Sequence, residues 1–380
     1  MLVIPEKKEL KNISIGMGLM DFIPVLLFAV SMFLLARIYP SPLFYVGAVL
    51  CILAGVGKVL WKLLLAITRK NIKFLNKQLR IVLPAGFLLM IISLILGRGK
   101  VSFPGMWALV KAFPGRYAFG FSILGFTAMG ILGVNLDATK KRSQWIEQSV
   151  NTVAQLSLLF GVFLCYAKMT SYAPSEEAIR QMDGSETTSV LDIDEGYLFD
   201  GPGSDVALVF YPGAMVDCRS YSPLLQKISG EGVDVFLVEM PYNLALFDVN
   251  AMDRLRENYD YEHWYLCGHS LGGAMAANYI AKAEQEPDGL ILLAAYATKE
   301  LQAEDLKVLS LYGDRDGVLN VKKVEAGRTN MPTDYKEAVI PGGNHAQFGS
   351  YGPQKGDGEA TIPAEIQLQI TADAIIEFLK

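Results

Sequence analysis

Histidine, cysteine and charge are all scarce in this sequence. Its 380 residues include 3 histidines and 4 cysteines, and charged side chains make up only 19% of the chain. Four cysteines at this density do not build a disulfide scaffold, and their spacing matches no common pattern of metal ligands. Because a general base is most often a histidine, three histidines leave few candidates for that role. We expect no metal and no cofactor.

The charge that is present divides the chain into two parts. Residues 1–169 carry 19 Lys and Arg against 5 Asp and Glu, whereas residues 170–380 carry 15 against 34. Hydrophobic residues make up 52% of the chain, and its mean hydropathy is +0.29. A basic, apolar front part and an acidic, mixed rear part indicate two different kinds of domain. We expect no nucleic-acid partner.

The front part contains five apolar stretches close to or above the ~20 residues that a helix needs to cross a bilayer. A signal peptide would explain only the first stretch, and buried helices of a soluble protein would show a polar stripe that is mostly missing here. We therefore predict an all-α membrane region at 1–169, with helices at 22–39, 43–67, 81–97, 117–136 and 152–169.

The lysines and arginines between these helices predict the orientation, since such residues are enriched on the cytoplasmic side. With the N-terminus in the cytoplasm, 11 of them fall inside and 6 outside. Five spans then place the rear part outside the cytoplasm, in a multi-pass protein of the cell membrane whose partner is the lipid bilayer. Asp21, Lys58 and Lys62 are expected near span ends, where they can reach water.

The rear part alternates buried strands with helices. Residues 170–188 are polar and acidic and predict a linker with a short helix at 176–182. The alternation that follows predicts an α/β domain at 189–380, with a mostly parallel sheet covered on both faces. Its strands are predicted at 189–193, 196–199, 206–211, 233–238, 264–267, 289–293, 308–312 and 337–340, and its last helix at 365–379.

The stretch 264–277, WYLCGHSLGGAMAA, reads as a strand, a sharp turn and a helix. Gly268, Ser270 and Gly272 form a G-x-S-x-G pattern at the turn, which is the nucleophile elbow of α/β hydrolases. Such a turn holds the serine in a strained backbone conformation, and the glycines avoid a Cβ collision. We predict that Ser270 is a catalytic nucleophile.

A serine hydroxyl needs a base to take its proton. His269 adjoins Ser270 inside the tight turn, so the two side chains cannot face each other. His263 lies at the start of the elbow strand, at the opposite end from the turn. His345 follows a later strand in a Gly-rich loop, where chemistry gathers in open α/β sheets, and it is the predicted base.

The imidazole needs an acceptor that fixes its tautomer. Two acids, Asp314 and Asp316, follow the strand at 308–312. We predict Asp316, which lies farther along the loop, and keep Asp314 as the alternative. The order Ser270, Asp316, His345 is the order found in α/β hydrolases.

Backbone N–H groups should stabilise the oxyanion of the tetrahedral intermediate. One belongs to Leu271, directly after the nucleophile, and a second to Gly213 or Ala214, after the strand at 206–211. Candidates for the substrate pocket follow a strand end or His345, and they are Met240, Tyr242, Asn243, Phe348 and Tyr351. Packing of the loop after His345 explains Phe348 and Tyr351 equally well.

Together these segments resemble a known family, the bacterial alpha/beta hydrolase family 5, which is loosely related to dienelactone hydrolases and small esterases. The resemblance covers about 189–380 and implies a triad of Ser270, Asp316 and His345 without implying one substrate. Dienelactone hydrolases carry cysteine at the nucleophile position, where this chain has serine. The blocks are YPGAMVD (211–217), VEMPYNLA (238–245), GHSLGGAMAA (268–277), YGDRDGV (312–318) and GGNHAQFGSYGPQKGDG (342–358).

We therefore expect a membrane-anchored serine hydrolase that cleaves carboxylic esters through an acyl-enzyme. A small-molecule or lipid-derived ester is the expected substrate, because the site would lie near a bilayer. A lipase, a thioesterase or a peptidase would use the same residues. An inactive hydrolase fold acting as a binding or sensor domain is the alternative from another class. A transporter would need polar residues inside the spans.

Overall fold

A computed structural model describes residues 14–97, 103–136, 140–203, 205–283, 285–301 and 305–380. The chain forms two compact units, Met1–Thr170 and Ser171–Lys380. The boundary falls where the composition changes from basic and apolar to acidic and mixed. Each unit has its own buried residues and is described separately.

The first unit is helical. Among its described residues, five helices are long and apolar enough to cross a membrane, as the sequence predicts. The last of them begins 11 residues earlier than expected, at Lys141 instead of Thr152, because a polar segment continues the helix. The helices are α1 (Ile15–Ile38), α2 (Pro42–Thr68), α3 (Lys73–Lys77), α4 (Leu79–Leu96), α5 (Phe103–Lys111), α6 (Gly115–Asn135) and α7 (Lys141–Met169).

Two charged residues of this unit lie deeper than the sequence predicts. Asp21 is only 5% exposed and Lys62 only 7%. Their side chains form an ion pair between α1 and α2, with 2.6 Å between Lys62 Nζ and Asp21 Oδ2. The expectation that both contact water at a span end is therefore wrong. α1 begins at Ile15, so Asp21 lies well inside the helix, and Lys62 neutralises it there.

The second unit is an eight-stranded sheet with helices on both faces. The strand order is β1-β2-β4-β3-β5-β6-β7-β8, and all pairs are parallel except β1–β2 and β2–β4. Its elements are α8 (Glu176–Gln181), β1 (Ser189–Ile193), β2 (Gly196–Asp200), β3 (Val206–Tyr211), α9 (Ser222–Ser229), β4 (Asp234–Val238), α10 (Ala251–Asn258), β5 (His263–His269), α11 (Leu271–Ile280), β6 (Gly289–Leu293), β7 (Lys307–Gly313), α12 (Val321–Gly327), β8 (Tyr335–Ile340) and α13 (Ala364–Leu379).

Two hydrophobic clusters cover the two faces of this sheet. α9, α12 and α13 contribute apolar side chains to one cluster, and α10 and α11 contribute to the other. The strands between the faces are almost continuously buried, from β3 to β7. This burial explains why they read as unbroken apolar runs, and it confirms the predicted α/β architecture.

The segment expected as a linker packs on this unit. The Ser222 hydroxyl donates to the Ala178 carbonyl oxygen across 2.5 Å, and the Gln226 side-chain amide donates to the Gln181 carbonyl oxygen across 2.9 Å. Ala178 is fully buried. Residues 178–181 are therefore attached to α9.

Candidate active site

The turn between β5 and α11 has the strained geometry that the sequence predicts for a nucleophile elbow. Ser270 has φ 54° and ψ −119°, a backbone conformation that residues other than glycine rarely adopt. Its N–H donates to the Leu293 carbonyl oxygen across 2.8 Å. A Cβ on Gly268 would lie 2.5 Å from the backbone of Gly272, and a Cβ on Gly272 would collide with the Tyr211 carbonyl oxygen. Only glycine fits at both positions.

The loops after β7 and β8 bring an acid and a base together. The His345 Nδ1 lies 2.8 Å from Asp316 Oδ2, and their side chains are 2% and 0% exposed. The other carboxylate oxygen, Asp316 Oδ1, accepts the N–H groups of Val318 and Leu319 at 2.8 and 2.7 Å. The carboxylate is thus fixed by its own loop and directed at the imidazole.

Asp314, the alternative acid, has a different role. Its carboxylate accepts the Gly342 N–H across 2.7 Å and lies 3.8 Å from the Arg315 guanidinium. The side chain is 46% exposed. Asp314 therefore joins the loops after β7 and β8 but does not contact the imidazole of His345.

The third member, Ser270, is close to this pair in the fold. The ring of His269, directly before it, lies 4.6 Å from the ring of His345 between centroids. Among the described residues, no hydrogen bond joins the Ser270 hydroxyl to the His345 imidazole. Such contacts are commonly long in a free enzyme and tighten when substrate binds.

His269 is part of a buried polar chain. The Gly213 N–H donates to the Tyr221 hydroxyl oxygen across 3.0 Å, and that hydroxyl lies 2.8 Å from His269 Nδ1. Because the hydroxyl oxygen already accepts the N–H of Gly213, we assign the Tyr221 hydroxyl as the donor and His269 Nδ1 as the acceptor of this second hydrogen bond. Burial lowers the pKa of His269 well below its usual 6.5, and His345 adds to this effect, so the ring is neutral.

The loop after β3 is held from two sides. The Met215 N–H donates to the Asn243 carbonyl oxygen, and the Tyr172 N–H donates to the Met215 carbonyl oxygen, both across 2.8 Å. The Asp217 N–H in turn donates to the Tyr172 carbonyl oxygen across 3.0 Å, so residue 172 pairs with this loop as a short parallel bridge. Met215 has φ 56°, which turns the backbone sharply at this point.

Tyr172 also contacts the loop after His345. Its hydroxyl accepts the Lys355 N–H across 3.0 Å, and its ring lies 5.4 Å from the ring of Tyr351. Nearby, the Ser175 N–H donates to the Ser350 carbonyl oxygen across 2.7 Å. The residues directly after the first unit therefore contact two loops at once. Nothing in the polar composition of 170–188 indicates this.

Asp357 joins the loops of the acid and the base. Its carboxylate accepts the N–H groups of Gly317, His345 and Ala346 at 3.0, 3.3 and 2.8 Å. Gly317 directly follows Asp316, so one carboxylate holds both members of the acid–base pair by their backbones. Sequence reasoning assigned Asp357 no role. An aspartate between two glycines is nevertheless typical of a side chain that binds nearby backbone N–H groups.

The five candidate pocket residues are all buried. Phe348 is 0% exposed and its ring packs 5.6 Å from that of His269, while the Tyr351 hydroxyl donates to the Gln354 side chain. These contacts favour the packing explanation for both. Of the other three, Tyr242 and Asn243 have a left-handed backbone conformation, and Met240 lies just before them, separated from Tyr242 by Pro241.

Among the described residues, no group of three or more His, Cys, Asp or Glu is arranged to hold a metal ion. The histidines and acids of the site are instead committed to one another and to backbone N–H groups.

The comparison with known proteins agrees with this architecture. The sequence profile of the alpha/beta hydrolase family matches residues 207–369. No curated protein matches the chain.

Three of the similar solved structures match this chain at low identity. An esterase from Pyrococcus furiosus is 12% identical, with a TM-score of 0.37, and the match covers 53% of this chain and 92% of that chain. Est1E from Butyrivibrio proteoclasticus is 16% identical, with a TM-score of 0.36 and coverage of 51% and 97%. The monoacylglycerol lipase of Paleococcus ferrophilus is 14% identical, with a TM-score of 0.38 and coverage of 46% and 96%. The family match covers residues 207–369, and the mostly parallel eight-stranded sheet of the second unit is consistent with the alpha/beta hydrolase fold.

Proposed function

We propose that the protein is a membrane-anchored serine hydrolase that cleaves carboxylic esters through an acyl-enzyme. The observation that carries this proposal is the buried hydrogen bond between Asp316 and His345, on loops that adjoin the strained turn of Ser270. An elbow without an acid–base pair would support only a binding role, and a buried pair without a nucleophile would be an ordinary structural contact.

The hydrogen bond to Asp316 determines which ring nitrogen acts as the base. Because Nδ1–H of His345 donates to the carboxylate, the lone pair lies on Nε2. Nε2 takes the proton of the Ser270 hydroxyl as its oxygen attacks the ester carbonyl carbon. The imidazolium is stabilised by Asp316 and returns the proton to the leaving alcohol, and a water molecule then releases the acid by the same steps.

The negative charge on the carbonyl oxygen needs donors that are not already used. Among the described residues, the N–H groups of Leu271 and Ala214 donate to no other group, whereas the Gly213 N–H donates to Tyr221. We therefore propose Leu271 and Ala214 as the oxyanion donors. Gly213 contributes by leaving room, since a Cβ there would lie 2.8 Å from His269 Nδ1.

The first unit supports a membrane location. Five helices have the length and hydropathy of membrane spans, and the Lys and Arg bias favours a cytoplasmic N-terminus with the hydrolase outside. A site attached to a bilayer favours lipid-derived esters, although a lipase, a thioesterase or a peptidase could use the same groups. A reporter that is active on one side only, fused after Lys380, tests the orientation. A cytoplasmic signal would reverse it.

A fluorophosphonate probe tests the chemistry, because it reacts with activated serines only. We expect the full chain in detergent to be labelled, and labelling to be lost in Ser270→Ala but kept in the control Ser185→Ala, which changes an exposed serine. An unlabelled wild-type protein of normal stability would instead favour an inactive hydrolase fold that binds or senses a ligand.

Chain-length preference tests the substrate class. The rates on p-nitrophenyl esters with acyl groups from acetyl to dodecanoyl are compared for the full chain. A lipid-derived substrate predicts rates that rise with acyl length. Equal rates at all lengths would contradict the lipid part of the proposal and leave the esterase part intact.

A further inference from the structure

The helices of the first unit enclose several polar side chains, although their sequences are mostly apolar. The Asp21–Lys62 ion pair joins α1 to α2 out of contact with solvent. Apart from this pair, the Asp21 carboxylate oxygens have no hydrogen-bond partner among the described residues. Burying a charge costs free energy, and the ion pair with Lys62 offsets this cost for Asp21.

Three side-chain amides lie on one face of α7. Gln148, Asn151 and Gln155 follow one another at spacings of three and four residues, so they share one face of the helix. Gln148 is buried, and the side-chain oxygen of Gln155 is buried with no hydrogen-bond partner among the described residues. Buried amides of native proteins are nearly always bonded to protein or to a bound molecule.

These groups line a common cavity of about 300 Å³. It is bounded by α1, α2, α4, α6 and α7, and its polar lining comprises Asp21, Lys58, Gln148, Asn151 and Gln155. This volume is at the lower end of the range that small-molecule pockets occupy.

The cavity has a polar end and an apolar end. α1 and α2 run antiparallel here, because Asp21 pairs with Lys62 and a Cβ on Gly55 would touch Val25. Lys58 therefore lies near the Asp21 end. Two helical turns farther along α1 the lining becomes aromatic and aliphatic, with Phe28, Leu83, Phe87 and Phe126.

We propose that this cavity binds a single-chain amphiphile with an anionic head group. Asp21 is already neutralised by Lys62, so Lys58 supplies the positive charge of the lining. The amide N–H groups of Gln148 and Asn151 are donors suited to carboxylate or phosphate oxygens. The aromatic end takes the alkyl chain. The site uses none of the residues of the candidate active site.

Binding to the full-length protein in a neutral detergent tests the proposal. Native mass spectrometry after removal of co-purified lipid is used with three probes: dodecanoate, lysophosphatidylglycerol and the uncharged dodecanol. We expect one saturable molecule of an anionic probe per chain and little binding of dodecanol. The two anionic probes separate a free fatty acid from a phospholipid as the source of the head group.

Three variants assign the binding to the cavity. Lys58→Gln should weaken binding of the anionic probe by about tenfold or more, as expected for loss of one charged contact. Lys58→Arg, which keeps the charge, should restore the affinity. Leu83→Phe fills the apolar end and should weaken binding while Lys58 is kept. The control Lys70→Gln removes an exposed charge just after α2 and should have no effect.

Thermal unfolding of each variant shows whether it is folded. Unchanged affinity in a folded Lys58→Gln protein would overturn the proposal, and so would dodecanol binding as tightly as dodecanoate. Fluorophosphonate labelling of Ser270 in the same samples reports on the hydrolase separately, so failure of one proposal is distinguishable from failure of the other.

Discussion

Replacing Asp357 with alanine tests whether the acid and the base of the site depend on a shared support. The carboxylate of Asp357 is the group that joins the backbones beside Asp316 and His345. In Asp357→Ala the loops keep their other contacts, but four N–H groups, including that of Gly358, lose their acceptor. The imidazole then has more freedom relative to the nucleophile, and catalysis depends on that geometry.

The size of the effect follows from the two shorter bonds. Ala346 and Gly317 donate to Asp357 across 2.8 and 3.0 Å, while the bond from His345 is longer. A hydrogen bond to a charged group contributes about 1.5 kcal/mol at the low end of its range, which suits a half-buried carboxylate. Two such bonds amount to about 3 kcal/mol, so the fall in kcat/KM is at most about 10²-fold, reached when the whole contribution is lost in the transition state.

The assay is ester hydrolysis by the full chain, with kcat and KM measured separately and labelling by a fluorophosphonate followed in time. We expect the loss in kcat, because binding of the ester does not involve Asp357. Asp357→Asn keeps one acceptor oxygen and should retain more activity, and Glu359→Ala, an exposed acid of the same loop, should behave as wild type. Activity of Asp357→Ala within a factor of about two of wild type would refute this reasoning.

Three further predictions concern single residues. Asp316→Asn should lower kcat by about 10⁴-fold, whereas Asp314→Asn should not; the reverse result would make Asp314 the orienting acid. Burial lowers the pKa of His269 well below 6.5 in the folded state. When the pH drops below 6.5, His269 therefore binds a proton more readily in the unfolded chain than in the folded one. The stability of the fold consequently falls as the pH drops below 6.5. His269→Asn should remove up to about 1.4 kcal/mol of that loss per pH unit, measured by thermal unfolding at pH 5 and 7. Gly272→Ala should abolish fluorophosphonate labelling and lower the unfolding temperature, since its Cβ meets the Tyr211 carbonyl oxygen; a labelled, stable variant would contradict the geometry of the turn.

Features that depend on neighbouring residues were predictable from the sequence. The alternation of apolar runs and turns predicts the strands to within one or two residues, and the strands from β3 to β7 are the clearest because they are almost continuously buried. The elbow is local as well: the same few residues form the strand end, the strained turn and the first turn of α11.

Features that depend on which loops meet were not predictable. Two donors, Gly213 and Ala214, have equal claims in the sequence, and only the fold brings the Tyr221 hydroxyl to one of them. Asp21 lies in an apolar stretch whose register against α2 the sequence does not specify, so its partner Lys62 could not be identified. Asp314 and Asp316 are two residues apart, and the difference between them arises from the path of the loop that follows.

The pairing of Tyr172 with Met215 and Asp217 changes where the hydrolase begins. Thr170 follows the last turn of α7, and Tyr172, two residues later, already pairs with the loop after β3. A protein cut at residue 189 would keep every strand of the sheet but lose the outer support of the loop that carries Ala214. The second unit therefore begins at Ser171 and not at residue 189.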